Sequence, residues 1–236
     1  MKKQWEQVYD AMMKYDGFAT LSQLYDLINF KTWGAKDPHA TVRRIVQTHE
    51  EFFKIKPGLW GLTQYENDIR KKVGINKDNT FKNRETKHSY YQGAIASIGN
   101  IRQYKTFIPY QDKNKLYLNV PLKNITNVEN IFEFAYKDVL EKAKTVDVIW
   151  FNIRKMPNSF FEIENSTNIT DSLVKFYELQ DYYANFNIVI PLERINEFKM
   201  KIEKSIYNDI KERVHLITYD DIDKQLEYEN KKVSFF

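Results

Sequence analysis

The 236-residue chain contains no cysteine, which excludes a disulfide framework and any thiolate zinc site. Its four histidines are scattered along the sequence, which argues against a His-rich metal centre. No run approaches the roughly 18 apolar residues of a membrane span. The start, Met-Lys-Lys-Gln-Trp-Glu-Gln, lacks an apolar core followed by a cleavage site. These absences lead to the expectation of a soluble, cytoplasmic protein with no membrane partner. What is present is apolar material: 42% hydrophobic and 15% aromatic residues supply a packed core and argue against global disorder. The length suits two modest domains or one large one. The formal charge of +4 permits a polyanionic partner without demanding one. Its location is more informative, at about +1 for residues 1–66, about +4 for 67–90 and about −1 beyond.

The most informative segment is residues 146–165. Val-Asp-Val-Ile-Trp-Phe leads into a polar turn through Arg154, Lys155, Pro157 and Asn158, and Phe-Phe-Glu-Ile-Glu-Asn returns. In such a hairpin Asp147 shares a face with Ile149, and Glu162 and Glu164 share a face of the returning strand. Three carboxylates are thereby expected to converge in an apolar setting, where a divalent cation held by oxygen ligands is the usual compensation. Phosphodiester hydrolysis needs such a cation, because charge builds up at a centre that already repels hydroxide. Phe160, Phe161 and Trp150 are expected in the core, Asn165, Ser166 and Thr167 as caps of the next helix, and Lys175 and Arg194 as surface charges.

Toward the N-terminus, Trp5, Val8, Tyr9, Met12 and Met13 have helical spacing, ended by Asp16-Gly17. Thr20 or Ser22 caps a second helix, and Asp37-Pro38 opens a third that runs to about His49. Phe52–Lys56 and Leu59–Leu62 read as strands about Pro57-Gly58. Three helices and a hairpin is the winged helix-turn-helix order. With Leu24-Tyr25-Asp26-Leu27-Ile28, Thr41-Val42-Arg43-Arg44 and Gly58-Leu59-Trp60-Gly61-Leu62, this segment resembles the HARE-type winged helix family over about residues 3–63. The resemblance implies DNA contact through the third helix and wing, with His39, Thr41, Arg43, Arg44, Gln47, Lys54 and Lys56 as candidates. Residues 66–87, with few large apolar groups, read as a basic linker able to follow phosphates.

From His88 the pattern predicts a helix to about Ile101, a strand at 105–109, a helix at 129–144 and the acidic hairpin. A helix at 170–183, a strand at 187–190, a helix at 193–206, a strand at 214–218 and a terminal helix follow. Helix, strand, strand, strand, helix, strand is the core order of the PD-(D/E)xK nuclease superfamily. Residues 88–236 resemble it, most closely from Asp147 to Leu179. The resemblance implies Asp147 as the first acid and Glu162-Ile163-Glu164 as the following pair. These would hold Mg²⁺, which Mn²⁺ can replace, with the Ile163 backbone carbonyl as a further ligand.

Glu164 departs from the usual lysine, although some restriction enzymes of the superfamily use Glu there. Lys175 and Lys155 are the lysines that could substitute, and neither is assigned the role. His88 and Gln92 occupy the polar positions of the first helix, Gln92 as a holder of water. The expected fold class is therefore α/β: a winged helix domain (1–65), a basic linker (66–87) and a PD-(D/E)xK nuclease domain (88–236) with a mixed central sheet flanked by helices. The expected function is a Mg²⁺-dependent, type II restriction-like endonuclease that cuts double-stranded DNA as a homodimer, with Asp147, Glu162, Glu164 and Gln92 in the active site. The alternatives are a non-catalytic DNA-binding regulator with a degenerate nuclease fold and, further off, an RNA-directed nuclease.

Overall fold

The computed structural model describes residues 2–232; residue 1 and residues 233–236, the outer ends of the two expected domains, lie outside the description. The chain divides into two compact units, one made of the residues up to Lys82 together with those from Asp223 onward, the other of Asn83–Ile222.

In the first unit, α1 (Gln4–Met13) buries Val8, Ala11 and Met12, and Gly17 at φ 86° turns the chain into β1 (Phe18–Thr20). Thr20 caps α2 (Leu21–Leu27) reciprocally with Gln23, each backbone N–H donating to the other side chain. Asp37 accepts the Ala40 N–H at 2.8 Å and Pro38 presets the first turn of α3 (Pro38–Thr48), which buries Val42, Ile45 and Val46. The strands β2 (Phe52–Lys56) and β3 (Leu59–Leu62) form a hairpin, and β1 joins it to give an antiparallel sheet ordered β1-β3-β2.

The stretch expected as a linker is folded. Residues Glu66–Val73 form α4, with Glu66 and Asp68 in its first turn, Arg70, Lys71 and Lys72 in its last, and Gly74 closing it in the left-handed region. Its few apolar residues, Ile69 and Val73, are four apart and both buried, and Ile75 follows them inward and pairs with Phe81. Arg70 ties the turn together through Glu66, the Asn76 carbonyl and Asn79.

The second unit opens with α5 (Arg84–Ile101), capped by Asn83, four residues earlier than the sequence pattern starts it. Then come β4 (Lys105–Phe107), the short pair β5 (Leu116–Tyr117) and β6 (Val120–Pro121), and α6 (Lys137–Ala143). They are followed by β7 (Val148–Phe151), β8 (Pro157–Ile163), α7 (Ile169–Glu178), β9 (Asn185–Ile190), α8 (Ile195–Ile202), β10 (Val214–Thr218) and the start of α9 (Tyr219–Lys232), which from Asp223 onward belongs to the first unit. Three helices are shorter than expected. Residues 129–136 precede α6 without helix, because the chain just before them runs beside β4: Asn127 Oδ1 accepts the Thr106 N–H at 2.7 Å and the Val128 N–H donates to the Thr106 carbonyl at 3.0 Å. The helices expected at 170–183 and 193–206 end at Glu178 and Ile202, and Tyr182–Ala184 and Lys204–Tyr207 close turns instead.

The sheet is mixed, in the order β10-β9-β8-β7-β4, with β4, β7 and β8 antiparallel in turn and β8, β9 and β10 parallel. The parallel half needs crossovers, which α7 and α8 supply. Being covered on both faces, β7 reads as a continuous apolar run, every residue buried. Ile149, Phe151, Phe160 and Phe186 pack with Leu173 and Phe176 of α7 on one face. On the other, Trp150 donates its indole N–H to the Ile95 carbonyl of α5 at 3.2 Å.

Gly93 of α5 lies under the Tyr117 ring, and a methyl group there would run into it. Helix propensity alone favours Ala over Gly by about 1 kcal/mol. Overpacking costs about 1–3 kcal/mol. Gly93→Ala is therefore expected to lower stability in urea denaturation, and a gain would contradict this packing.

Candidate active site

Antiparallel pairing of Val148 with Phe161 brings the residues before β7 and at the end of β8 to one edge of the sheet. There Asp147 Oδ2 accepts the Ile163 backbone N–H at 2.7 Å, clamping the two strands. The three acids do not gather as one group of ligand atoms. Among the described residues, the His, Asp and Glu ligand atoms that lie within 4.8 Å of one another belong to His88, Asp112 and Asp147. Glu162 and Glu164 face α7 instead.

Glu162 is 3% exposed and Glu164 5%, so each charge must be met locally. Lys175 of α7 does this for Glu162: its Nζ lies 3.0 and 2.9 Å from the two carboxylate oxygens and 3.1 Å from the Thr145 carbonyl. The Ser172 hydroxyl lies between Glu162, at 3.1 Å, and Glu164, which is closer, and its one proton serves either carboxylate. Burial, and next the Asp147 charge, nevertheless push the Glu162 pKa up to about 8, against the pull of Lys175. Burial and the neighbouring acid thus favour the protonated form of the Glu162 carboxyl. Glu164 accepts from the Ser172 and Thr167 hydroxyls. Its backbone carbonyl accepts from Arg194 Nη1 at 3.0 Å, and Arg194 Nη2 holds the Thr167 carbonyl at 2.6 Å. Lys175 and Arg194, expected on the surface, are thus built into the site, and the cap of α7 is Asn168 rather than Asn165, Ser166 or Thr167. Lys155 is at the hairpin turn, at the opposite end of β8, over the Phe132 ring.

On the α5 side, His88 Nε2 is 3.3 Å from Asp147 Oδ1. Burial lowers the His88 pKa, but the Asp147 carboxylate, helped by Asp112, outweighs it and leaves the imidazole more basic than usual. Gln92 is fully buried; its Nε2 donates to Asp112 Oδ2 at 2.7 Å and to the Asp147 carbonyl at 3.3 Å, while its Oε1 has no hydrogen-bond partner among the described residues. Asp112 also pairs with Lys115 at 2.7 Å. Sequence reasoning missed Asp112, which sits in a polar stretch between strands with no motif around it. Tyr219 was missed as well: it stacks on Tyr91 at 4.0 Å and buries a hydroxyl that has no hydrogen-bond partner among the described residues. Burial, then the Glu164 charge, raise its pKa.

The candidate DNA-contacting residues of the first unit separate into two groups. Arg44, Gln47 and Lys54 are exposed. His39 packs against the rings of Tyr25 and Phe30, and the Thr41 hydroxyl donates to the Asp37 carbonyl. Arg43 reaches the Tyr25 hydroxyl and Asp37, and Lys56 pairs with Asp223 at 3.6 Å and lies over Phe81.

Comparison with known families puts the chain among restriction-enzyme-like proteins. The chain belongs to the family described as Type II restriction enzyme NmeDI C-terminal domain, whose model matches residues 70–234, more than half of its length. No curated protein and no solved structure matches it.

The Lys175–Glu162 contact has an energetic consequence. Removing the ammonium leaves a buried carboxylate without its main partner, which costs about 1–3 kcal/mol. Replacing both partners by neutral groups relieves most of this. Urea denaturation of Lys175→Met is expected to show that loss, and the double variant Lys175→Met/Glu162→Gln to recover part of it. Additive losses would contradict the pairing.

Proposed function

We propose that the chain is a Mg²⁺-dependent, type II restriction-like endonuclease that hydrolyses phosphodiester bonds in double-stranded DNA. The observation that carries this reading is the acidic edge formed by half-buried Asp147 and buried Glu162 in a chain of a restriction-enzyme family. The order of α5, β4, β7, β8, α7 and β9, with its antiparallel-then-parallel pairing, supports a PD-(D/E)xK core. Three helices, a hairpin and an antiparallel three-stranded sheet support a winged helix unit before it.

The donor set fits a hard cation. Asp147, Glu162, the Ile163 carbonyl and Glu164 offer only oxygen, although the three acids do not gather here as one group of ligand atoms, so side-chain movement would have to bring them together. These residues would hold Mg²⁺, which when bound supplies neutralisation of the charge that builds up during hydrolysis and acidification of a water. The chain's own groups do the rest. Asp147 is fixed by the Ile163 N–H and by His88, so its carboxylate enters the reaction already oriented. Lys175 provides from α7 the ammonium that residue 164 does not, and it holds both oxygens of Glu162. Arg44, Gln47 and Lys54 meet DNA, the cations at phosphates and Gln47 at a base edge. A homodimer would match the two-fold symmetry of a duplex.

One observation favours a second reading, a DNA-binding regulator that does not cut: both oxygens of Glu164 are already engaged by the hydroxyls of Thr167 and Ser172. A plasmid assay with Mg²⁺ or Mn²⁺, on methylated and unmethylated DNA, separates the two. Asp147→Asn keeps an acceptor for the Ile163 N–H, so it is expected to fold and bind DNA while cleavage falls about a hundredfold or more. Full cleavage by this variant would overturn the reading. Arg44→Ala and Lys54→Ala are each expected to weaken binding and to reduce the slope of log affinity against log salt by about one. An unchanged slope would remove that residue from the interface.

A further inference from the structure

We propose that the α5 side of Asp147 is a second cation position, chemically different from the oxygen-only set of Glu162, Ile163 and Glu164. Its ligands are His88 Nε2, Asp112 and Asp147 Oδ1, with Gln92 beside them, and it takes a divalent ion of the Mn²⁺, Co²⁺ or Zn²⁺ class in preference to Mg²⁺.

Three donor atoms from separate parts of the chain, α5, the loop after β4 and the residue before β7, lie within 4.8 Å of one another. Ligand atoms about 2.1 Å from a shared ion can be up to about 4.2 Å apart, so a small closure of the side chains completes the set. An acidic group of this kind could be satisfied by ion pairs alone, but Gln92 is not. Its amide lies within the group, Nε2 bonding both Asp112 and the Asp147 carbonyl, yet its buried Oε1 has no partner among the described residues. A buried carbonyl oxygen left unpaired costs about 1–3 kcal/mol. A ligand water of the cation would donate to it.

The cation now facing Asp112 is Lys115, on a partly exposed side chain. It can swing into solvent when a metal takes its place. Imidazole nitrogen with two carboxylates suits first-row transition ions, whereas Mg²⁺ favours oxygen donors alone. The inference shares Asp147 with the proposed catalytic site but does not need the chain to cleave anything.

Mn²⁺ binding to the full chain, followed by electron paramagnetic resonance, tests it at mildly alkaline pH, where imidazole is free to ligate. The wild type is expected to bind Mn²⁺ with a hyperfine coupling to an imidazole nitrogen that excess Mg²⁺ does not remove. His88→Gln should abolish the coupling, and Asp112→Asn should weaken the Mn²⁺ that carries it about tenfold or more. Glu162→Gln should retain the coupling while losing cleavage, which keeps failure of this inference distinct from failure of the nuclease reading. Absence of a nitrogen coupling in the wild type, or its persistence in folded His88→Gln, overturns the proposal. His88→Gln decides the matter if Asp112→Asn does not fold.

Discussion

Burial of negative charge at the end of β8 is the constraint around which the second unit is arranged. Glu162 and Glu164 are nearly inaccessible, and an isolated buried carboxylate is far too costly to tolerate. The surrounding elements each contribute a donor: Ser172 and Lys175 from α7, Thr167 from the loop before it, and Arg194 from the loop before α8 through the Glu164 carbonyl. On the far side Asp147 collects the Ile163 N–H and His88, and through the Asp147 carbonyl and Gln92 the network reaches Asp112 and Lys115. Burial, and next the Asp147 charge, raise the Glu162 pKa even so. A fold whose only aim was stability would place apolar residues here.

Much of this edge was legible in the sequence because its signals are local. Alternation along a hairpin fixes which residues share a face, and Asp147, Glu162 and Glu164 could be picked out from residues 146–165 without knowing the fold. The runs at 148–151 and 187–190 likewise announced strands, and Trp150, Phe160 and Phe161 are as buried as their surroundings implied. Asp37-Pro38 and Thr20 marked helix starts that α3 and α2 obey.

The remainder was hidden because it depends on contacts between distant residues. Asp112 reaches the site through a buried amide twenty positions away, and Lys175 looks like an ordinary helix-surface lysine until Glu162 is found beside it. The segment around Asn127 has helical-looking apolar spacing after it, but side-chain and backbone bonds to Thr106 hold it extended. Residues 66–82 were masked by composition: a charged, apolar-poor stretch reads as a tether, yet Ile69, Val73 and Ile75 suffice to anchor α4 and the turn after it. Likewise, His39, Arg43 and Lys56 look free on a helix or strand pattern and are engaged by Tyr25, Asp37 and Asp223.

Asp147 and Glu162 are proposed to hold a cation at this edge, where Lys175 is already seated on Glu162. Anomalous diffraction from crystals grown with Mn²⁺ tests it most directly. The account predicts an anomalous peak within coordination distance of an Asp147 oxygen and a Glu162 oxygen. Crystals of DNA-cleaving protein with no Mn²⁺ near Asp147, and with Lys175 still seated on Glu162, would contradict it.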